Sequence, residues 1–358
     1  MILNFNNQRS YIIAEAGVNH NGSLMIAKKL IDKAKYCNAD AIKFQFFKAD
    51  KISTNDAKLA PYQKKNIKRK ISQNSLLKQL ELNEKDFLLL KKYAKKKKID
   101  FFLSIFDEDN LDFITNKLKN KIIKIPSGEI TNFFLLRKIN YKKNKIILST
   151  GMSNLEEICK ALNIICKDNI FLFKDNNVNI IKKKKYQKIK DKVFLLHCVS
   201  DYPAQEKYLN LNCISTLKKK FGLKIGFSDH SRNIMSSIVA IAKGAKIIEK
   251  HFTLSRKMKG PDHSSSFTPG ELKLLINEIR NTEIMLGSEE KKIQKCEKFN
   301  VSSVRKSIVA KKKINIGERF TLKNLTAKRT LKGISPMNTY KFLNQKAKKN
   351  YQKDQIIL

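Results

Sequence analysis

The chain has 358 residues, enough for about two domains with a full-sized core. A hydrophobic fraction of 42% excludes a wholly disordered chain, and no apolar run reaches the ~18 residues of a membrane span. Lys plus Arg outnumber Asp plus Glu by 74 to 32, a net charge of +42, which brings polyanion binding forward as a function class. The basic residues are overwhelmingly Lys, however, without the planar fork by which Arg grips bases and phosphates. They are spread over many segments, with short runs at 95–98, 182–185 and 311–313. Asn and Ile are abundant too, and all three have AT-rich codons, so the excess reads as solvated surface. A basic polyanion-binding protein stays as the alternative from a different class, and nucleic acid is not the expected partner. The start MILNFNNQRSYIIAEAG lacks a basic region followed by a long apolar one, so no secretory signal or membrane association is expected. Six cysteines (37, 159, 166, 198, 213, 296) lack CxxC spacing, against a disulfide framework or structural zinc. The expected location is the cytoplasm.

In chain order, β-branched and aromatic runs alternate with amphipathic segments. The runs are YIIAEA (11–16), ADAIKFQF (39–46), DFFLSIF (100–106), KIIKIPS (121–127), KIILST (145–150), KVFLLHC (192–198), LKIGFS (223–228) and AKIIEKHF (245–252). These eight are nearly continuous in apolar residues, as strands buried on both faces should be. After the first, Ala27, Leu30, Ile31 and Ala34 share one helical face. After the fifth, Ser153 and Glu156 give a capping-box signature. After the eighth, Thr268-Pro269-Gly270-Glu271 supplies an N-cap, Pro at N1 and Glu at N3. Eight βα units within 1–287 predict a (β/α)8 TIM barrel, with a doubly wound open sheet as its competitor. Residues 288–302 are polar and read as a linker. Residues 303–358 carry short strand-like pieces punctuated by Gly317, Gly333 and Pro336, and read as a small β-rich module. The stretch before the sixth strand, KDNIFLFKDNNVNIIKKKKYQKIKD, reads as a mobile Lys-rich insertion on the helix side.

A barrel's active site is built at the C-terminal ends of its strands. Those ends carry Glu15, then Lys43 and Gln45, then Ser104, then Lys124 with Ser127 and Glu129, then Ser149. The last three add Ser200 and Tyr202, Ser228 and His230, and Glu249 and His251. Two lysines beside serines and Gly-flanked amides make an anion cradle, unless each Lys pairs with Glu15, Glu129 or Glu249. His230 and His251, from adjacent strands, can share a divalent ion completed by water and substrate oxygens, unless one is a core histidine. Beyond the eighth strand, Asp262 is a better candidate to face the site than His263.

Read together, IIAEAGVNHNGS (12–23), AIKFQFFKADK (41–51), YQKKN (62–66), KIPSGEI (124–130), ILSTGM (147–152), LLHCVSDYP (195–203), GFSDHS (226–231), EKHFT (249–253) and GPDH (260–263) resemble the N-acetylneuraminate (sialic acid) synthases. The tail KSIVAKKKINIGERFTLKNLTAKR…GISP resembles their antifreeze-like (SAF) domain. The resemblance spans essentially the whole chain. It implies condensation of phosphoenolpyruvate with N-acetylmannosamine and water to N-acetylneuraminate and phosphate, with N,N'-diacetyllegionaminate synthesis as the alternative. It implies that Lys43, Lys124, Ser127, Ser149 and Ser228 hold phosphoenolpyruvate, and that His230 and His251 hold a divalent ion, Mn2+ first, then Mg2+ or Co2+. Gln45, Asn66, Glu129, Tyr202 and Asp262 are then assigned to the sugar. Glu15 lies by the reacting centre, and Glu15 or Glu129 acts as the base. Arg329 resembles an arginine that the tail inserts into a partner's barrel, which implies a domain-swapped homodimer. Two motifs depart from the family's usual wording. FLSIF (102–106) stands where FSTPF is usual, and Thr330 and Leu331 replace Pro and Gly after Arg329.

Overall fold

A computed structural model describes residues 9–67, 70–330 and 332–358; Leu331, one of the two tail departures, lies outside the described residues. Eight parallel strands form a closed barrel: β1 (Tyr11–Gly17), β2 (Ala41–Phe46), β3 (Asp100–Ile105), β4 (Ile122–Ile125), β5 (Lys145–Ser149), then, after two strands outside the barrel, β8 (Val193–Cys198), β9 (Lys224–Asp229) and β10 (Ile247–His251). Each coincides with one of the eight runs read from sequence. The chain divides into two units, Met1–Gly287 and Ser288–Leu358.

Strand alternation sorts the barrel into two cores. Inward-facing Tyr11, Ile13, Ala41, Phe102, Ile122, Ile147, Phe194, Leu196 and Ile247 plug the interior. Their outward neighbours, Ile12, Ala14, Ile42, Leu103, Ile123, Ile146, Leu195 and Ile248 among them, pack under the helices. The next inward position after the apolar plug is polar on strand after strand: Glu15, Lys43, Ser104, Lys124, Ser149, Cys198, Ser228 and Glu249. A period of two thus carries each strand from core to chemistry without a break.

The surrounding helices follow their sequence signals. In α1 (Leu24–Tyr36) the four residues expected on one face are the buried ones. In the long helix after β10, α11 (Pro269–Leu286), Thr268 and Glu271 close the expected capping box. The helix after β5, α7 (Leu155–Cys166), is capped by Asn154 and Glu157 instead of Ser153 and Glu156. The Ser153 hydroxyl is diverted to the Thr150 carbonyl at 2.8 Å, and Asn154, an equally good cap, takes its place one residue on.

The Lys-rich stretch before β8, expected as an insertion on the helix side, carries secondary structure of its own. It forms a hairpin, β6 (Phe171–Lys174) and β7 (Asn177–Ile180), followed by α8 (Lys183–Ile189). Phe171, Val178 and Ile189 are buried, and Asn163 secures the hairpin by bonding the backbone of residues 170 and 171. The lysines sit on the solvent side of a packed element.

In the second unit, the segment read as linker carries a short helix, α12 (Lys298–Val304). Beyond it β11 (Lys306–Ala310) pairs antiparallel with β12 (Leu325–Arg329) over a core of Ile308, Ala310, Ile314, Phe320, Leu325, Ala347, Tyr351 and Ile357. Among the described residues no helix is long and apolar enough to cross a membrane.

Candidate active site

The C-terminal mouth of the barrel opens into a cavity of about 520 Å³. Its floor is a buried ionic cluster. Lys43 Nζ lies 2.9 Å from Glu15 Oε1 and 3.6 Å from Glu249 Oε2, and donates to Ser104 Oγ at 2.7 Å. Lys124 Nζ lies 3.4 Å from Glu249 Oε1 and donates to Ser149 Oγ at 2.8 Å. Ser228 Oγ donates to Glu249 Oε1 at 2.9 Å. Both lysines therefore find carboxylates, and Glu249 bridges them.

The balance is uneven. Glu249 resists ionisation through burial, but Lys124, Lys43 and the Ser228 hydroxyl outweigh this and bring its pKa to about 2. Lys124 is pushed down by burial and by Lys43, only partly offset by Glu249. Glu15 is pushed up by burial, against the pull of Lys43. The floor thus sets two lysines beside one carboxylate held firmly ionised and a second whose ionisation burial opposes, an arrangement that favours an arriving anion.

Above Lys124, Ser127 Oγ accepts the Gly151 N–H at 3.0 Å. A Cβ at Gly151 would drive into the hydroxyls of both Ser127 and Ser200, so a side chain here would displace the two serines from the floor. Gly17 has a comparable role at the bulged end of β1, where φ is +52° and a Cβ would press on Gln45 and Glu15 at 3.3 Å.

The two histidines meet at one wall, with ring centroids 5.3 Å apart. His230 Nδ1 donates to the Val199 carbonyl at 2.7 Å and its Nε2 lies 3.4 Å from Ser228 Oγ; burial opposes its charge, but Cys198, that carbonyl and Glu249 raise its pKa. Burial first, then the neighbouring His230 and Lys43, hold His251 well below the usual histidine pKa, so its imidazole is neutral. Four buried polar atoms in this quarter lack a hydrogen-bond partner: His251 Nδ1, Asp262 Oδ1, Glu15 Oε2 and Glu249 Oε2. Among the described residues no group of three or more His, Cys, Asp or Glu forms a complete metal cage. The two histidines beside these unsatisfied oxygens fit an ion that takes its remaining ligands from water and substrate.

The residues behind the histidines are equally organised. Asp229 and Lys250, on the outward faces of β9 and β10, form a 2.9 Å ion pair, 0% and 1% exposed. Asp229 also accepts from the Ser231 N–H, Ser236 Oγ and Ser237 Oγ, while Lys250 donates to the Ser231 carbonyl and lies over the Phe267 ring. The pair joins the residues preceding both histidines and holds Ser231, which follows His230, by both of its backbone groups.

An aromatic wall closes the site. Tyr202 stacks on His230 with centroids 4.1 Å apart and meets His251 edge-on at 5.4 Å. Tyr62, on α3 (Pro61–Ile67), lies 4.7 Å from Tyr202. Phe47, Ile52, Leu77 and Phe106 continue this apolar side, and Gln45 and Glu129 face it from the other strands. Glu129 accepts from Asn132 at 2.7 Å, and burial raises its pKa.

Of the residues expected at the site, Glu15, Lys43, Gln45, Lys124, Ser127, Glu129, Ser149, Tyr202, Ser228, His230 and His251 all line this cavity. Asp262 stands behind His251, its Oδ2 3.9 Å from Nδ1, with a pKa raised to about 7 by burial and by Glu15. Asn66 is not among the lining residues; its amide donates to the Pro261 carbonyl at 2.6 Å and ties α3 to the loop that carries Asp262. Arg329 is an exposed residue of the second unit. His263 bonds Thr253 and Asn21 instead of facing the site. Sequence reasoning named Glu249 only as a possible partner of a lysine, which it is for both, and passed over Tyr62 and Cys198.

The model of the NeuB family matches residues 30–291, and that of the SAF domain residues 305–358. The chain belongs to the NeuB family. It is 46% identical to the N,N'-diacetyllegionaminic acid synthase of Campylobacter jejuni, covering 98% of this chain and 99% of that one. The corresponding synthase of Legionella pneumophila is 40% identical over 91% and 87%. Among solved structures, the N-acetylneuraminic acid synthetase of Leptospira borgpetersenii, in complex with citrate, superposes with a TM-score of 0.67 at 35% identity, covering 82% of this chain and 90% of that one. This NeuB-family member thus shares both its fold and its domain order with sialic acid-type synthases.

Proposed function

We propose that this NeuB-family protein condenses phosphoenolpyruvate with open-chain N-acetylmannosamine and water, giving N-acetylneuraminate and phosphate. The observation that carries the reading is the buried Lys43–Glu249–Lys124 floor, ringed by Ser104, Ser149 and Ser228 and set beside His230 and His251. The lysines with Ser127, Ser149, Ser228 and the Gly151 turn seat the phosphate and carboxylate. A divalent ion, Mn2+ first and Mg2+ or Co2+ next, when held by His230 Nε2 and His251, supplies Lewis-acid polarisation of the sugar aldehyde.

C3 of phosphoenolpyruvate attacks the aldehyde carbon; the new C–C bond forms as the carbonyl π pair moves to oxygen, which takes up a proton, and cationic character is left at C2. Water adds there and loses one proton; phosphate then departs with the C2–O bond electrons as the C2 hydroxyl gives up its remaining proton to leave the 2-keto group. Lys43 and Lys124 neutralise the departing charge. Glu15, whose pKa burial raises against the pull of Lys43, is placed to receive the proton of the attacking water, and Glu129 is the alternative base at the cavity's outer wall. Gln45, Tyr202 and Tyr62 shape the sugar's seat, and Asp262 backs it through His251. Arg329, supplied by the SAF domain of a second copy, completes the seat in a domain-swapped homodimer working in the cytoplasm.

A second reading replaces N-acetylmannosamine by the sugar bearing a second acetamido group, giving N,N'-diacetyllegionaminate. It is favoured by the two synthases at 46% and 40% identity and by the apolar side formed by Phe47, Tyr62 and Phe106. Incubation with phosphoenolpyruvate and each sugar, followed by mass analysis of the acidic product, tests both. A nine-carbon 2-keto acid from either sugar supports the synthase reading and names the substrate; none from either overturns it.

A further inference from the structure

The VNHNGS stretch after β1 and the GPDH stretch after β10 stand out in the sequence, yet the proposed reaction uses only Asp262 from them. In the fold the two stretches are fastened to each other. Asn19, 1% exposed, donates from its amide nitrogen both to the Phe252 carbonyl and to Ser266 Oγ, each at 2.9 Å. Ser266 Oγ in turn donates to the Asp262 carbonyl at 2.7 Å, and the Ser265 N–H reaches the same carbonyl at 3.2 Å. Beside them, Asn21 donates to the Lys259 carbonyl at 2.9 Å, and its Oδ1 lies 3.1 Å from His263 Nε2. That oxygen can only accept, so the His263 proton sits on Nε2 and Nδ1 accepts from Thr253 Oγ1 at 2.6 Å. A Cβ on Gly260 would come within 2.8 Å of Asn21 Oδ1 and 2.6 Å of His263 Cδ2, so the clasp closes tightly around this glycine.

What the clasp holds belongs to the histidine wall at both ends. Phe252 follows His251, and its N–H donates to the Glu15 carbonyl at 2.7 Å. Asp262 stands behind His251, but its carboxylate is not seated by bonds of its own. Its Oδ1 has no hydrogen-bond partner, and its Oδ2 lies 3.9 Å from His251 Nδ1, beyond hydrogen-bond reach. His251 Nδ1 is likewise without a partner. The backbone is left to place this carboxylate, and it is held at the Asp262 carbonyl by Ser266 and Ser265 and at the next residue by His263. A carboxylate behind a metal-binding imidazole orients the ring and tunes its affinity. Asn19 is the one side chain that grips both the residue after His251 and, through Ser266, the backbone of Asp262.

We propose that Asn19, with Ser266 as its relay, is a positioning residue of the histidine wall: it holds Asp262 against His251 and so sets the affinity of that wall for a divalent ion. The proposal rests on reading His230 and His251 as the ion's ligands, and not on which sugar is condensed. Equilibrium dialysis of the full chain against Mn2+ alone, with neither substrate present, tests it beside urea denaturation of the same proteins. The parent is expected to bind one Mn2+ per chain. S266A, which removes a single oxygen from the relay, is expected to weaken that binding at least threefold. N19A, which removes both donated bonds, is expected to weaken it about tenfold. T282V removes another buried hydroxyl, bonded to the Glu278 carbonyl within α11, and is expected to bind as the parent does. A merely structural role would lower the urea midpoints of S266A and N19A and leave their Mn2+ affinity unchanged, and that result overturns the proposal while the ion reading stands. An equal loss in T282V overturns it too. If N19A does not fold, S266A decides. A parent that binds no Mn2+ overturns the ion reading and this proposal with it.

Discussion

Lys250→Met isolates the framework that holds the two histidines. The substitution keeps the side chain's length and removes its charge from a position 1% exposed. Asp229, fully buried, then loses its counter-ion, the Ser231 carbonyl loses its 2.7 Å donor, and Phe267 loses a cation 4.1 Å from its ring. Breaking one side of a buried ion pair costs about 3–5 kcal/mol. Three donors remain on Asp229, the Ser231 N–H and the hydroxyls of Ser236 and Ser237, which places the cost near 3 kcal/mol, at the lower end of that range. Asp229→Asn, which strands the lysine instead, is expected to cost a similar amount. The double variant D229N/K250M strands no charge and keeps the serine contacts, so a large part of the loss returns. Urea denaturation of the four proteins gives the coupling free energy, expected at about 2 kcal/mol or more. Additive losses, with a double variant as unstable as the two singles combined, would refute the pairing as the source of rigidity.

Further expectations follow from the same floor and walls. Glu249, depressed from 4.5 to about 2, contributes stability that is fully present above about pH 4.5 and is lost as pH falls towards 2; the shift corresponds to about 3 kcal/mol. Glu249→Gln should therefore flatten acid denaturation across that window, and an unchanged acid limb would contradict the assignment. Gly151→Ala, driving a Cβ into Ser127 and Ser200, should raise the KM for phosphoenolpyruvate at least tenfold while far-UV circular dichroism stays unchanged; an unaltered KM counts against this turn as part of the anion seat. Chelation should abolish turnover and leave the far-UV spectrum intact, with activity restored by Mn2+; turnover surviving complete metal removal would exclude the histidine pair as a required ion site. Arg329→Ala should raise the KM for the sugar more than that for phosphoenolpyruvate, and equal effects on both would remove it from the sugar's seat.

The barrel was legible because its strands are buried on both faces, so their apolar runs stand out whole. The inward positions were legible too: Lys43, Lys124 and Ser149 each follow an apolar plug residue by two, and Ser228 follows Gly226 by the same step. Glu249 obeys the same period, two before His251 and two after Ile247, yet its bridging of both lysines is a matter of space across the barrel. Cys198 likewise follows Leu196 by two, and an apolar strand hides a small thiol among its neighbours. Tyr62 left no signal, since it reaches Tyr202 from a helix inserted between β2 and β3, 140 positions away in the chain. The hairpin at 171–180 was hidden by its lysines, which mask the few apolar residues, Phe171 and Val178, that pin it down. Asn66 was placed with the sugar by resemblance, and its bond to the Pro261 carbonyl shows a tie between loops that a motif cannot reveal.

The most direct measurement is phosphate release from phosphoenolpyruvate by metal-stripped, Mn2+-reloaded protein, with N-acetylmannosamine, with its diacetamido counterpart, and with neither. Sugar-dependent and Mn2+-dependent release with one of the two sugars is the expected result. No release with either sugar from folded, Mn2+-loaded protein, or release indifferent to sugar, would contradict a synthase built on the Lys43–Glu249–Lys124 floor.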